Sequence, residues 1–127
     1  MTEVLDASAL IAYFRQEPGA EQVRGLLDRA RVSALNFSEV HQKLSAYGMA
    51  ADDLTAGLLI LGVRVEPFSQ ADAVAASNLY PQTRVGGGLS LADRACLALA
   101  LRLGVPVYTS DRDWSRVDVD ADVRMIR

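Results

Sequence analysis

The stretch SLADRACLALALRLGVPVYTSD, residues 90–111, predicts a helix followed at once by a strand. Every residue from 95 to 101 is apolar, which is typical of a helix that is buried nearly all round. The helix nevertheless carries an acid, Asp93, where its interior begins, and the strand ends in a second acid, Asp111. A carboxylate beside such an apolar face is costly to desolvate unless a cation or several hydrogen-bond donors meet it.

The rest of the chain repeats this alternation of strands and helices. Strands are predicted at residues 3–6, 32–35, 63–68, 105–111 and 123–126. Helices are predicted at residues 7–14, 20–31, 36–47, 52–61, 69–80 and 90–104, with a Gly-rich loop over 81–88. The pattern indicates an α/β fold, a three-layer α/β/α sandwich with a mostly parallel central sheet. The length of 127 residues suits one domain spanning residues 1–127.

Composition excludes several function classes. The formal charge of −3 and the pI near 5 argue against a protein that coats nucleic acid, but they allow an enzyme that touches it through a local site. Cys96 is the only cysteine and His41 the only histidine, which argues against a disulfide, a zinc cage or a two-histidine metal site. The N-terminus lacks the pattern of a signal peptide and no apolar run has membrane-spanning length, so we expect a cytoplasmic protein.

Two acids in the first half of the chain have ordinary structural explanations. Asp6 follows the first strand and precedes a helix, which is the position of an N-cap. Glu39 lies three residues after Asn36, the spacing of a capping box, and four residues before Lys43, the spacing of a helical ion pair. Taken singly, each acid is best interpreted as structural.

The acids in the second half also have local explanations. Asp93 lies three residues after Ser90, again the spacing of a capping box. Asp111 is placed to cap the turn that follows its strand, and Asp113 could do the same. The structural explanation is weakest for Asp93, because its helix is apolar on nearly every side.

The joint pattern is more informative than any single acid. In a parallel α/β sheet every strand-to-helix junction lies along one edge, outside the carboxyl ends of the strands. Four acids, Asp6, Glu39, Asp93 and Asp111, are therefore expected together at that edge. Their mutual repulsion requires a cation, and oxygen ligands without His or Cys favour Mg²⁺ or Mn²⁺. Such ions polarise a phosphodiester and supply a hydroxide nucleophile.

Three segments resemble the PIN domains, and among them the VapC-type toxins of type II toxin–antitoxin pairs. VLDASALIAYF is similar to the opening strand and helix of that family, and SALNFSEV to its second motif. GLSLADRACLALALRLGVPVYTSDRDW is the most specific segment and includes the T-x-D element. The resemblance implies that four acids bind the metal and that one hydroxyl supports them: Asp6, Glu39, Asp93 and Asp111, with Thr109 hydrogen-bonding within the cluster.

The resemblance also implies an activity and partners. We expect a ribonuclease dependent on Mg²⁺ or Mn²⁺ that hydrolyses RNA, forms a homodimer and is blocked by a cognate VapB-type antitoxin. Asp113 is a weaker candidate that shares or replaces the role of Asp111. Because the net charge is negative, RNA binding is left to local arginines such as Arg84, Arg94, Arg112 and Arg116.

Two other function classes remain open at this point. A phosphoacceptor receiver domain has a similar length and clustered acids, but it needs paired acids after the first strand and a lysine after a late one. The only lysine here, Lys43, lies in the wrong half of the chain. A PIN-like interaction module that kept its acids without turnover is the other alternative. The neighbour of Asp93, Arg94, is interpreted either as part of a surface ion pair or as a contact for phosphate or an antitoxin carboxylate.

Overall fold

The computed structural model describes residues 1–84 and 88–127 of the chain. The sheet contains β1 (Glu3–Leu5), β2 (Ala30–Ser33), β3 (Arg64–Glu66), β4 (Val107–Thr109) and β5 (Val123–Met125). The α-helices in these residues are α1 (Ala7–Phe14), α2 (Ala20–Arg24), α3 (Ala34–Ser45), α4 (Ala51–Leu61), α5 (Gln70–Asn78), α6 (Tyr80–Thr83) and α7 (Leu91–Leu103). Two short 3₁₀ helices span Leu27–Arg29 and Arg112–Arg116.

All pairings in the sheet are parallel, and the strand order is β3-β2-β1-β4-β5. This confirms the predicted α/β class with a parallel central sheet. The chain runs outward from β1 to β3 and then returns to the other side of β1 with β4. The order therefore reverses between β1 and β4, and ligands of open α/β sheets bind beyond the carboxyl ends of the strands at such a point. Receiver domains have the order 2-1-3-4-5 instead, so that alternative is wrong.

The two faces of the sheet bury separate hydrophobic clusters. Val4 and Leu5 are consecutive and completely buried, and their side chains point to opposite faces because strands alternate. Leu5 belongs to a cluster with α1, α3 and α4, whereas Val4 packs with α7 and Trp114. Helices thus cover both faces of the sheet, as the continuous apolar strands predict.

The boundaries around β2 differ from the prediction. The helix expected over residues 20–31 is split into α2 and a 3₁₀ helix, and β2 begins two residues early. The next helix begins at Ala34, with Ser33 as its N-cap accepting from the Leu35 N–H at 3.3 Å. The capping role expected of Asn36 is therefore wrong, because Asn36 lies inside the helix and is completely buried.

Two further expectations fail for local reasons. The helix predicted over residues 36–47 ends at Ser45, so Tyr47 lies beyond it, and this residue is 65% exposed. It packs under the Arg15 guanidinium, 4.4 Å from the ring centroid. The loop expected over 81–88 begins as helix α6, and residues 85–87 of that loop lie outside the described residues. No helix in the described ranges is long and apolar enough to cross a membrane.

Candidate metal centre

Asp6 follows β1 at the point where the strand order reverses, and its carboxylate is 2% exposed. Its Oδ1 accepts from the Ala9 N–H at 2.8 Å and from the Ser8 hydroxyl at 2.7 Å, so the predicted N-cap is confirmed. Its Oδ2 accepts from the Thr109 hydroxyl at 2.5 Å. Burial raises the pKa of Asp6 to about 6, although all three donors lower it.

Two hydroxyls connect the ends of β1 and β4 beneath this carboxylate. Thr109 is completely buried, and its Oγ1 also accepts from the Asp111 N–H at 3.0 Å. The Ser8 hydroxyl, besides bonding to Asp6, accepts from the Ser110 N–H at 2.9 Å. Ser8 was not singled out from the sequence. Its only local signal is its place two residues after Asp6, where a hydroxyl can reach back to the capping carboxylate.

Glu39 lies in the second turn of α3 and is partly buried. Its Oε1 accepts from the Asn36 Nδ2 at 3.0 Å, so the three-residue spacing is used by a side-chain pair rather than by a capping box. Burial raises the pKa of Glu39, Asn36 opposes that rise and the charge of Asp93 adds to it. The ion pair expected with Lys43 is absent between these two described residues, although the Lys43 charge lowers the pKa of Glu39.

Asp93 lies in the first turn of α7 and completes a capping box. Its backbone N–H donates to the Ser90 Oγ, and its Oδ2 accepts from the Ser90 N–H, both at 3.1 Å. The predicted box is therefore confirmed. Burial raises the pKa of Asp93 against the effect of the Ser90 bonds, and the charges of Asp111 and Asp113 raise it further. One carboxylate thus caps the buried helix and also faces the other acids.

Asp111 and Asp113 differ in their surroundings. Asp111 is partly buried and caps the 3₁₀ helix, accepting from the Asp113 N–H at 2.9 Å. Asp113 is exposed and lies 3.5 Å from the Arg116 guanidinium, so its charge already has a partner. This difference favours Asp111 over Asp113 as the acid that faces the cluster.

The charges of the four acids act on one another. The charge of Asp93 acts on both Asp6 and Glu39, and Asp111 acts on Asp93. The Cys96 thiol, fully buried one turn after Asp93, has its pKa raised by burial and then by three of these carboxylates. Within residues 1–84 and 88–127, none of the four acids forms an ion pair.

The donor chemistry of this cluster fits a hard divalent cation. It offers carboxylate and hydroxyl oxygens only, which are the ligands of Mg²⁺ and Mn²⁺. In the part of the chain that the structure describes, no group of three or more His, Cys, Asp or Glu side chains is placed so that it could hold a metal ion by itself. Mg²⁺ usually takes only one or two carboxylates and keeps several waters, so an open arrangement of acids suits it better than a closed cage.

The Arg94 side chain contacts the helices next to α7. Its Nη1 donates to the Ala76 carbonyl of α5 at 3.0 Å, and its guanidinium lies 5.2 Å from the centroid of the Tyr80 ring. The expectation of a surface ion pair is wrong, because no acid of the described ranges pairs with it. Arg94 fastens the start of α7 to α5 and α6, which fixes the helix that carries Asp93.

A family model described as the PIN domain matches residues 4–120. The chain belongs to the PIN-domain family. The parallel sheet with its flanking helices is therefore that of a PIN domain. No curated protein matches this PIN domain in sequence.

Solved structures share the fold of this PIN domain at low identity. A toxin–antitoxin complex from Klebsiella pneumoniae has a TM-score of 0.77 and 18% identity, with 99% of this chain and 98% of that chain covered. DNA-bound VapBC from Salmonella typhimurium has a TM-score of 0.73, 15% identity and coverage of 100% and 99%. VapC20 from Mycobacterium tuberculosis, described as a sarcin–ricin loop cleaving toxin, has a TM-score of 0.70, 18% identity and coverage of 91% and 94%.

Proposed function

We propose that this PIN domain is a metal-dependent endoribonuclease that hydrolyses RNA phosphodiester bonds. The observation that carries the proposal is a group of four acids at the reversal of strand order for which the described residues supply no ion-pair partner: Asp6, Glu39, Asp93 and Asp111. Burial holds the pKa of three of them above its usual range, which disfavours their charged forms until a cation compensates them. Membership of the PIN-domain family supports nuclease chemistry at such a site.

Each acid has a neighbour that fixes its orientation. Hydroxyls hold Asp6, the Asn36 amide holds Glu39 and the capping box holds Asp93. Asp111 is held by the backbone of the 3₁₀ helix that it caps. Mg²⁺ or Mn²⁺, when bound by these acids, polarises the phosphodiester and supplies the hydroxide nucleophile. The protein's contribution is to keep the carboxylates aligned for the ion and the substrate.

Cleavage of a structured RNA by the purified protein tests the proposal. We expect cleavage with Mg²⁺ or Mn²⁺, none with a chelator and none by Asp93→Asn. The matched control is Asp72→Asn, because Asp72 occupies the same capping-box position in α5 but pairs with Arg102 at 3.3 Å. Full activity in Asp93→Asn would show that the site is wrongly assigned and that a contaminating nuclease cleaves the RNA.

We further propose that the protein is the toxin of a VapBC-type pair, cytoplasmic and homodimeric, with a cognate antitoxin. The similar folds of two toxin–antitoxin assemblies and a cleaving toxin support this assignment. Induced expression should arrest growth, Asp6→Ala should relieve the arrest, and mapping RNA ends after induction should identify the target. Harmless expression combined with binding of a small partner encoded upstream would favour an interaction module without turnover.

A further inference from the structure

Asn36 occupies an unusual place between two helices of the site. It is the third residue of α3 and is completely buried. Its Nδ2 donates to the Glu39 Oε1 at 3.0 Å and to the Ala92 carbonyl oxygen at 3.3 Å. Ala92 immediately precedes Asp93 in α7. One amide group therefore joins the carboxylate of one helix to the turn that carries the next acid.

Folding alone does not account for an asparagine at this position. Asn is a poorer helix former than Leu or Ala, and a buried amide loses its hydration. The Asn36 Oδ1 has no hydrogen-bond partner in residues 1–84 and 88–127, so part of that hydration is not replaced. An apolar side chain of similar size would fill the same space without this cost. The two contacts of Nδ2 are what the asparagine adds.

We propose that Asn36 is a positioning residue that sets the orientation of Glu39 and its separation from Asp93 for metal binding. This inference rests on the proposed function, since it concerns the same site. Rotation of the Glu39 carboxylate away from α7 would break its bond to Nδ2. The Ala92 contact fixes the other end of the amide, while the Ser90 capping box fixes Asp93 within the same turn.

The chemistry of the side chain explains why asparagine suits this place. A primary amide supplies two N–H donors from one nitrogen, one for each acceptor that Asn36 contacts. Aspartate would bring a third acceptor against Glu39 and the Ala92 carbonyl. Serine is too short to keep both contacts, and leucine has no donor. Partners that orient metal ligands in this way usually change metal affinity by about 10- to 100-fold when they are removed.

The test measures metal binding directly, from the electron paramagnetic resonance signal of free Mn²⁺ titrated with protein. We expect Asn36→Ala to raise the Mn²⁺ dissociation constant by about 10- to 100-fold. The matched control is Leu44→Ala, a buried truncation in the same helix that should lower the unfolding temperature and leave the dissociation constant unchanged. If Asn36→Ala does not fold, Asn36→Ser provides the same comparison with a smaller change in polarity.

A double-mutant cycle with Glu39→Gln separates positioning from general destabilisation. If Asn36 acts through Glu39, adding Asn36→Ala to Glu39→Gln leaves the dissociation constant where Glu39→Gln alone puts it. The inference would be overturned if the two substitutions had independent, multiplicative effects on the dissociation constant, or if Asn36→Ala bound Mn²⁺ with wild-type affinity. Either result counts against the role of Asn36 alone when the wild type still binds Mn²⁺ and cleaves RNA. A wild-type protein that neither binds Mn²⁺ nor cleaves RNA would instead overturn the proposed function itself.

Discussion

At the scale of single residues, Thr109 connects more of the site than any acid does. Its hydroxyl donates to Asp6 and accepts from the Asp111 backbone, so it joins two of the proposed ligands through one atom. It is completely buried, and water therefore cannot replace either bond. Thr109 thus forms hydrogen bonds of the kind that the resemblance implies, and its role at the site stays a prediction.

Replacing Thr109 by valine should therefore reduce both stability and activity. The change leaves an Asp6 oxygen without its donor, and we expect a loss of about 1–3 kcal/mol in the free energy of unfolding. RNA cleavage should fall by at least about tenfold, because a carboxylate displaced from its working geometry is a weaker ligand. Thermal unfolding and initial cleavage rates measure the two effects.

Thr83→Val is the matched control for this prediction. Thr83 is also completely buried, but among the described residues its hydroxyl donates only to the Leu79 and Tyr80 carbonyls, four and three residues earlier. The control should lose stability and keep its cleavage rate. Equal loss of activity in both variants would mean that Thr109 contributes only to folding.

The residues that sequence reasoning missed act over long distances in the chain. The capping roles of Asp6 and Asp93 follow from partners three residues away, and both were predicted. Ser8, in contrast, accepts from the backbone of Ser110, 102 residues later. Asn36 contacts a carbonyl 56 residues away, so its local spacing suggested a cap that does not form. Only the packing of the elements determines these contacts.

At the scale of elements, α5 and α7 begin with the same capping motif, but the acids of the two motifs have different surroundings. Each has a complete capping box, formed by Ser69 with Asp72 in α5 and by Ser90 with Asp93 in α7. In α5 the acid pairs with Arg102, and bonding from the Ser69 backbone lowers its pKa. In α7 no residue of the described ranges forms an ion pair with the acid, and burial raises its pKa.

This pair of boxes gives a prediction with an internal control. Ser90→Ala and Ser69→Ala each remove one capping hydroxyl, and each should cost about 1 kcal/mol of stability. Only Ser90→Ala should also weaken Mn²⁺ binding and RNA cleavage, because it loosens the turn that holds Asp93. Chemical denaturation, Mn²⁺ titration and cleavage assays distinguish the two variants. Equal cleavage rates in both would show that the α7 box serves folding alone.

Burial was easier to predict than the type of element. Val23, Leu26 and Leu27 are apolar residues of the helix predicted over 20–31, and all three are buried. The chain nevertheless changes from α2 to a 3₁₀ helix between them, because similar spacing of apolar residues is compatible with both geometries. Helix α6 was mistaken for loop, since Pro81 is tolerated in a first helical turn but is also typical of turns.

At the scale of the whole molecule, the sheet order explains why the acids lie at one edge of the sheet. The alternation of strands and helices predicted the parallel sheet and its one edge of strand-to-helix junctions, but it did not predict which strands are neighbours. The order β3-β2-β1-β4-β5 places Asp6 beside Thr109 and Asp111 at the point of reversal. Helices α3 and α7 bring Glu39 and Asp93 to the same edge.

This concentration of acids costs the metal-free protein stability. The pKa of Asp6 is about 6 in the folded protein against the ordinary value of 3.8, so the folded state holds the proton more tightly. Stability contributed by the protonated form is lost as the pH rises from about 4 to about 6, and it stays lost above that range. The difference corresponds to about 3 kcal/mol at pH 8. The pKa values of Glu39 and Asp93 are raised as well.

Asp6→Asn should therefore be more stable than the wild type at pH 8 in a chelator, by up to about 3 kcal/mol, while lacking activity. Mn²⁺ at about 100 times its dissociation constant should stabilise the wild type by about 2.7 kcal/mol and leave the stability of Asp6→Asn unchanged. The difference in stability between the two proteins should then nearly disappear. Thermal unfolding with chelator and with Mn²⁺ measures both effects. Because its partners lower the pKa of Asp72, the control Asp72→Asn should lose stability under both conditions. An Asp6→Asn protein less stable than the wild type in chelator would contradict this account of the site.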